Sequence, residues 1–450
     1  MTAVRFTADE LALAAGGRRQ GPTVLVCGAT VDSRAVVAGQ LFVPVVGERD
    51  GHDFIAAAVD GGAPAFLTSR PVAELAGVGV AGGATAIEVG DTVAALADLG
   101  RLARRRLGGA VVAVTGSVGK TSVKDLAASV LGTTLRTSAA VRSFNNELGV
   151  PLTLLEAPEG TEAVVVELGA RGLGHVAELC AIAEPTVGVV TTVGAAHLEL
   201  FGSLEDVARG KGELVEALPP TGTAVLNADD ERVAAMAGRT TAAVLRYATG
   251  SARADVVAEG VVLDAGLRPR FTLRSPWGSA EVALEVRGRH MVANALAAAG
   301  AGFALGLGPD AVAAGLGAAR LSPWRMEVWR NRSGLTVVND AYNANPVSMR
   351  AALESMAALP ARRRIAVLGP MAELGESSAA AHAGVAALAR SLGITVVAVA
   401  CDLYGETPAA DLGAALEVLD GLGLGPDDAV LVKASRVAGL EALAAALGQR

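Results

Sequence analysis

The chain reads as an α/β protein of three domains, and three observations carry that reading. It has 450 residues, more than one ordinary hydrophobic core holds, so about two to four domains are expected. Short β-branched runs alternate with helical stretches along most of its length, the βαβ pattern of open, mostly parallel sheets. One strand–helix junction carries Gly116-Ser-Val-Gly-Lys-Thr121, the form of a phosphate-binding loop.

Residues 1–107 make the first unit. Residues 23–27 and 40–46 read as short strands, and 54–60 as a helical stretch running into Gly61-Gly62. Thr92–Leu107 is apolar at helical spacing and closes on Arg104, Arg105 and Arg106 before Gly108-Gly109. A basic last turn followed by Gly stops a helix. The second unit, 108–320, opens with a strand at 110–114 and continues through strands at Ala163–Glu167, 187–192 and 224–227. Such near-continuous β-branched runs suit parallel strands buried on both faces. Residues 204–217 form an intervening helix, the polar, Gly-dotted stretch 252–288 reads as added antiparallel strands, and 294–305 as an Ala-rich helix. The third unit, 321–450, alternates again through strands at 335–339, 365–368, 394–400 and 429–432, a smaller Rossmann-like sheet.

Composition narrows the function classes. Hydrophobic residues make up 52% and charged residues 19%, a globular balance. Aromatic residues are 3% and the net charge is −8 with no basic stripe, which argues against nucleic acid or an anionic membrane as partner. An anionic ligand then needs a local pocket. Cys27, Cys180 and Cys401 lie far apart without CxxC spacing, as buried thiols in a reducing compartment do. Residues 1–10 carry charges too early for a signal peptide, and no uncharged run is long enough to span a bilayer. The expectation is a cytoplasmic monomer with no membrane insertion.

In the loop, Gly116 and Gly119 let the backbone curl so that several N–H groups face one anion, and the following helix presents its positive end. Lys120 supplies a point charge for the outer phosphates, the Thr121 hydroxyl can ligate Mg²⁺, and Ser117 and Ser122 belong to the same turn. The full pattern has a further Gly where this chain has Val114. The alternative, a Gly-rich turn with a surface lysine, fits poorly between a buried-type strand and a helix. A purine triphosphate is the expected ligand; the loop alone names no reaction.

Three residues downstream suit a hard cation. Glu167 ends a strand beside the loop, at the edge where ligands collect in open α/β sheets, and serves either Mg²⁺ or a cap on the next turn. His197 lies just past another strand end, as a ligand or as a structural histidine. Lys211 reads either as a solvated helix lysine or, if its amine is neutral, as a group able to add CO₂ and become a carbamate, an oxygen ligand.

Together with further segments these pieces resemble the Mur ligase family. Asp32-Ser-Arg34, Leu41-Phe42-Val43 and Gly47-Glu-Arg-Asp-Gly-His-Asp-Phe54 are similar to its UDP-binding segments. Asn145-Asn146-Glu-Leu-Gly-Val-Pro151, Ala196-His-Leu-Glu-Leu-Phe-Gly-Ser203 with Lys211-Gly-Glu213, and Asp340-Ala-Tyr-Asn-Ala-Asn-Pro346 resemble the branch that adds D-alanyl-D-alanine. Gly369-Pro-Met-Ala-Glu-Leu-Gly375 and Lys433-Ala-Ser-Arg436 resemble two more family segments. The chain departs from the family pattern at Asn339, where an acidic residue is usual, at Pro370, usually Asp, and at Ala434, usually Gly.

The resemblance implies a UDP-binding domain over 1–107, an ATPase domain over 108–320 and a dinucleotide-type fold over 321–450. It implies ATP and Mg²⁺ as cofactors, with UDP-N-acetylmuramoyl-tripeptide and D-alanyl-D-alanine joined through an acyl phosphate. Lys120 and Thr121 would cradle the phosphates and the first Mg²⁺ with Glu167; His197 and carbamylated Lys211 would serve a second. Asn294 falls where the family contacts adenine, Arg325 where it contacts phosphate and Asp340 where it contacts ribose; otherwise Arg325 is a surface arginine and Asp340 a strand-end carboxylate. Ser33, Arg34, Asn145 and Asn146 fall on the UDP-sugar side. Tyr342, Asn343 and Asn345 fall on the substrate side, the asparagines toward nucleotide or incoming dipeptide, with Asx turn roles for them an equal alternative. The resemblance also implies that the third domain closes on the second.

Rival readings carry their own signatures. A diaminopimelate- or lysine-adding relative would show Asp-Asn-Pro-Arg in its third domain, which is missing here. A folylpolyglutamate synthetase lacks the UDP-type domain, and a phosphotransferase has no need of one. A nucleotide-binding regulatory protein without ligase chemistry would be free to lose Glu167, His197 or Lys211, and the chain retains all three.

Overall fold

In the computed structural model, residues 3–75, 83–141, 143–194, 198–250 and 253–449 are described. They build a mixed α/β architecture around three larger sheets in three successive stretches of chain. The first sheet runs in the order Arg18–Gln20, Thr85–Glu88, Ala65–Thr68, Leu41–Phe42, Ala29–Thr30, parallel except for the outer Arg18–Gln20 strand. Arg5–Thr7 and Leu25–Cys27 pair separately as a small antiparallel ribbon.

The middle sheet has nine strands among the described residues. Ala110–Thr115 lies inside it, with Val187–Val190 on one side and Ala163–Glu167 on the other, all parallel. These strands are buried along their length, which is why their sequences are unbroken apolar runs. The stretch read as added antiparallel strands is Val256–Leu263, Pro269–Ser275 and Gly278–Ala283; these pair antiparallel with one another, and the first joins Ala243–Ala248 in parallel. The last sheet runs Glu327–Arg330, Thr336–Asn339, Asp428–Lys433, Arg363–Leu368, Thr395–Ala398, with only the first pair antiparallel.

Thr92–Leu107 bridges the first two sheets. Asp91 caps it by accepting from the Val93 and Ala94 amides, and Gly108 ends it at φ 65°. Its inner face, Leu96 and Leu99 among it, is fully buried in an apolar cluster that runs from Phe6 and Leu41 to Leu155 and Val166. Each leucine so buried contributes about 1.5–3 kcal/mol. Glu156 reinforces this junction, accepting from the Ala29 amide and the Gln40 side-chain amide at 2.8 Å each. Burial raises its carboxyl above the ordinary range, against those two bonds.

The last sheet docks on the middle one through Leu267, which joins Met326 and Leu353 in one buried cluster, and through the Ser322 amide, 2.7 Å from Asp125 Oδ2. Trp324 and Met326, either side of Arg325, both hold left-handed backbone at φ 64° and 51°. The three cysteines are free thiols; Cys180 and Cys401 are buried, and burial pushes the Cys180 thiol up to about 12. No helix among the described residues is long and apolar enough to cross a membrane.

Candidate nucleotide and ligation site

Ala110–Thr115 ends inside the middle sheet, and the chain turns there into the helix Lys120–Leu131. Both neighbours of this strand follow it in the chain, Ala163–Glu167 on one side and Val187–Val190 on the other, so the connections part on either side of it and leave a crevice at the carboxyl ends. The turn is locked from below: the Ser117 amide donates to Thr192 O at 2.8 Å, the Thr191 hydroxyl contacts Val118 O at 2.5 Å, and the Ser117 hydroxyl donates to Gly194 O at 3.0 Å. Gly119 holds φ 88°, and a Cβ on it would lie 2.5 Å from Asn294 Oδ1, so a side chain there strains the loop and displaces Asn294.

Lys120 curls over the loop, its amine 2.8 Å from Gly116 O. Burial lowers its pKa most; the charge of Arg325 lowers it further, while Glu167 and Glu373 oppose both. The Thr121 hydroxyl donates to Glu167 Oε2 at 2.6 Å, and the Asn145 amide donates to Glu167 Oε1 at 2.8 Å. Glu167 is therefore no cap on the next turn; it is a buried carboxylate held beside the loop.

Across the crevice stand residues of the last sheet. Asp340, just past Thr336–Asn339, pairs with the buried Lys433 amine at 2.6 Å and accepts from the Met326 amide at 3.1 Å. Lys433 also donates to Asn343 O at 2.8 Å. The guanidinium carbon of Arg325 sits 4.0 Å from the centre of the Tyr342 ring. Asn345 caps the helix Pro346–Ala358 through a reciprocal bond pair with Ser348, and the Asn343 side chain accepts from the Ala344 amide. Asn345 thus takes a capping role, and both asparagines line the cleft.

These two banks enclose a cleft of about 360 Å³, the size that holds a small organic ligand. Among the residues singled out in the sequence, it gathers Ser117, Gly119, Lys120, Thr121, Ser122, Asn145, Glu167, Asn294, Arg325, Asp340, Tyr342, Asn343 and Asn345. Ser33, Arg34, Gly116, Asn146 and Lys211 do not line it. The exposed Arg34 guanidinium holds the Asp32 carboxyl at about 2 through paired hydrogen bonds, and Ser33 lies between them. Asn146 Oδ1 accepts from the Gly149 amide at 2.9 Å, opening the helix Gly149–Glu156. His197 lies outside the described residues.

Lys211 is 1% exposed on the inner face of Leu204–Glu216. Burial, aided by the charge of Lys120, lowers its pKa well below that of an ordinary lysine. Lys211 is therefore no solvated lysine, and its burial disfavours the ammonium form.

Thr121 and Glu167 supply hard oxygen donors side by side, and Mg²⁺ characteristically takes one or two such groups while keeping waters and phosphate oxygens. Among the described residues no three His, Cys, Asp or Glu cluster into a self-sufficient metal cage. The donors fit an ion brought in with a nucleotide.

Sequence reading assigned no role to several cleft residues: Ser143, Thr192, His290 and Lys433, the last quoted only within Lys433-Ala-Ser-Arg436. Lys433 carried a signal, since a lysine ending a β-branched run at a sheet's carboxyl edge faces the ligand crevice. His290 precedes the helix Met291–Ala304; its Nδ1 is buried without a hydrogen-bond partner, and burial lowers its pKa.

Comparison with known proteins agrees with this geometry. The Mur ligase middle domain matches residues 114–302, and the Mur ligase glutamate ligase domain matches 324–449. The UDP-N-acetylmuramoyl-tripeptide–D-alanyl-D-alanine ligase of Mycobacterium tuberculosis is 43% identical, covering 92% of this chain and 91% of its own. A crystal structure of MurF from Acinetobacter baumannii matches with a TM-score of 0.88 at 29% identity, covering 100% of both chains. MurF from Thermotoga maritima, in complex with ADP, matches with a TM-score of 0.79 at 28% identity over 94% of this chain and 97% of that one.

Proposed function

The chain belongs to the Mur ligase family of ATP-using ligases, and on that premise we propose that it joins D-alanyl-D-alanine to UDP-N-acetylmuramoyl-tripeptide in the cytoplasm. The observation that carries the reading is the near-full-length likeness to ligases bearing that name. The cleft supports it: a phosphate loop and buried carboxylate on one bank face Arg325 and the Asp340–Pro346 turn on the other.

The reaction must bring a triphosphate and a carboxylate, two anions, into contact. Lys120 and Arg325 line the cleft as cations for the outer phosphates, and they act most strongly where water is excluded. The γ-phosphoryl group passes to the peptide's terminal carboxylate, giving an acyl phosphate and ADP. The dipeptide amine attacks the acyl carbon, and the tetrahedral intermediate expels phosphate. Asn294, packed against Gly119, is assigned to the adenine, and Asp340 to the ribose. Ser33, Arg34, Asn145 and Asn146 are assigned to the UDP-sugar side, with 1–107 as the domain that holds it.

Thr121 and Glu167 would hold a Mg²⁺ that neutralises phosphate charge. A neutral Lys211 amine adds CO₂ and releases a proton, so the buried lysine is read as a carbamate, an oxygen ligand for a second ion with His197. The test is phosphate release from ATP with the UDP-linked tripeptide, comparing D-alanyl-D-alanine with lysine, diaminopimelate and no amine. Release that requires the dipeptide and yields a UDP-linked pentapeptide is expected. Release indifferent to the dipeptide would reduce the reading to an ATPase core.

A further inference from the structure

Arg325 is held in an unusual way for a cation that must meet phosphate. Among the described residues no carboxylate pairs with it. Its guanidinium instead lies on the Tyr342 ring at 4.0 Å, and its buried Nε has no hydrogen-bond partner. A carboxylate partner would neutralise the charge and consume the N–H donors. A ring face orients the flat group and leaves its N–H edge free for an anion.

The backbone agrees. Trp324 and Met326 both hold left-handed conformations, costly for residues with a Cβ and kept only where surroundings fix them. Here the Tyr342 amide donates to Trp324 O at 3.2 Å and the Met326 amide to Asp340 Oδ1 at 3.1 Å, clamping both flanks of Arg325 to the Asp340–Tyr342 turn. The Tyr342 hydroxyl meets the Ser143 hydroxyl of the middle region, two residues before Asn145, the side chain that holds Glu167.

We propose that Tyr342 is a positioning residue: its ring sets the Arg325 guanidinium, and its hydroxyl ties that setting to the bank that carries Glu167. The Arg325 charge is then aligned only when the two banks are docked. This rests on the ligase reading above and gives Tyr342 a role other than contact with the dipeptide.

The test is steady-state ligation by full-length variants, each checked by thermal melting. Tyr342→Leu removes the ring and is expected to lower kcat about 3- to 30-fold, the range of a partly desolvated cation–π contact, with KM for D-alanyl-D-alanine unchanged. Tyr342→Phe keeps the ring but cuts the tie to Ser143, so its loss of kcat should fall between the parent and Tyr342→Leu and be matched by Ser143→Ala; parent-like kcat in both would overturn the hydroxyl tie. If Tyr342 acts through Arg325, adding Tyr342→Leu to Arg325→Ala costs nothing more. A double variant whose losses multiply, or a Tyr342→Leu that raises the dipeptide KM at unchanged kcat, overturns the proposal. Should Tyr342→Leu not fold, Tyr342→Phe decides: a loss as large as that of Arg325→Ala would show that the ring is not what matters. A parent enzyme that releases no phosphate on addition of dipeptide refutes the ligase reading first, and the two failures are distinct.

Discussion

Gly119→Ala tests the phosphate loop at its tightest point. Gly119 holds φ 88°, so an alanine there carries roughly 1–2 kcal/mol of backbone strain. That alone weakens any ligand needing the native loop by a factor of about 5–30. The new Cβ would also stand 2.5 Å from Asn294 Oδ1, and the nearest atoms all belong to the Asn294 side chain, so that side chain must swing away. Asn294 is assigned to adenine, so its displacement adds to the loss, and ATP affinity is expected to fall at least about 30-fold. The assay is isothermal titration of ATP with Mg²⁺ into Gly119→Ala, Asn294→Ala and the double variant. Because Gly119→Ala already displaces Asn294, the double variant should bind better than the sum of the two losses, by about 0.5–3 kcal/mol. Parent-like affinity in Gly119→Ala, or strict additivity, would refute the assigned contact.

Further expectations follow from the same geometry. Lys211→Ala should abolish turnover, with no restoration by bicarbonate and partial rescue by a short-chain acid; near-normal activity would remove the carbamate. The Lys211 pKa is lowered in the folded state, so the unfolded chain binds the extra proton and Lys211 makes stability rise with pH towards the unfolded value near 10.5; Lys211→Met should flatten the rise of melting temperature with pH just below that value. A chelator should stop phosphate release and Mg²⁺ restore it, and Thr121→Val should raise the Mg²⁺ needed for half-maximal rate; an unchanged requirement would detach Thr121 from the metal. Asp428, buried and held far below the usual carboxylate range first by its hydrogen bonds to Arg363, stabilises the last sheet above the unfolded pKa and loses that effect as pH falls. Asp428→Asn should therefore melt lower than the parent at pH 7, with the gap closing in acid; a gap that persists would point to packing instead of charge.

How much of this was legible in the sequence depends on the physics at each position. Ala163–Glu167 and Thr92–Leu107 were readable to the residue because each follows one period without interruption and ends on a clear stop. Leu41–Phe42 and Ala29–Thr30 are two residues long, too short to show any alternation. Arg18–Gln20, Thr137–Ala139 and Glu327–Arg330 lie at sheet edges and carry polar residues because one side meets water. In the site, Lys120, Thr121 and Glu167 were legible because strand, loop and helix fix where their side chains must point. Lys433 was not assigned a role, because its partner Asp340 lies 93 positions away and only the parallel pairing of their strands brings them together. Lys211 looked solvated because its helix is charged on the outside, and only packing shows that this lysine faces in.

The charges of the cleft argue for a polyanion as the missing component. Lys120, Arg325 and Lys433 converge on a space whose carboxylates, Glu167 and Asp340, are already spoken for by Thr121, Asn145 and Lys433. The Arg325 charge lowers the Lys120 pKa, and Lys120 does the same to Lys211, so each cation makes the next harder to keep. Nature does not retain such an arrangement for stability, since a buried cation without a partner costs several kcal/mol. A triphosphate offsets these repulsions: it favours the charged form of Lys120 and gives the free edge of Arg325 its acceptor. Lys211, turned inward and outside the cleft lining, gains no such partner from the triphosphate, and there a neutral amine is the form the proposed carbamate needs. The same field that penalises a second ammonium there favours a group that enters neutral and becomes an anion on adding CO₂.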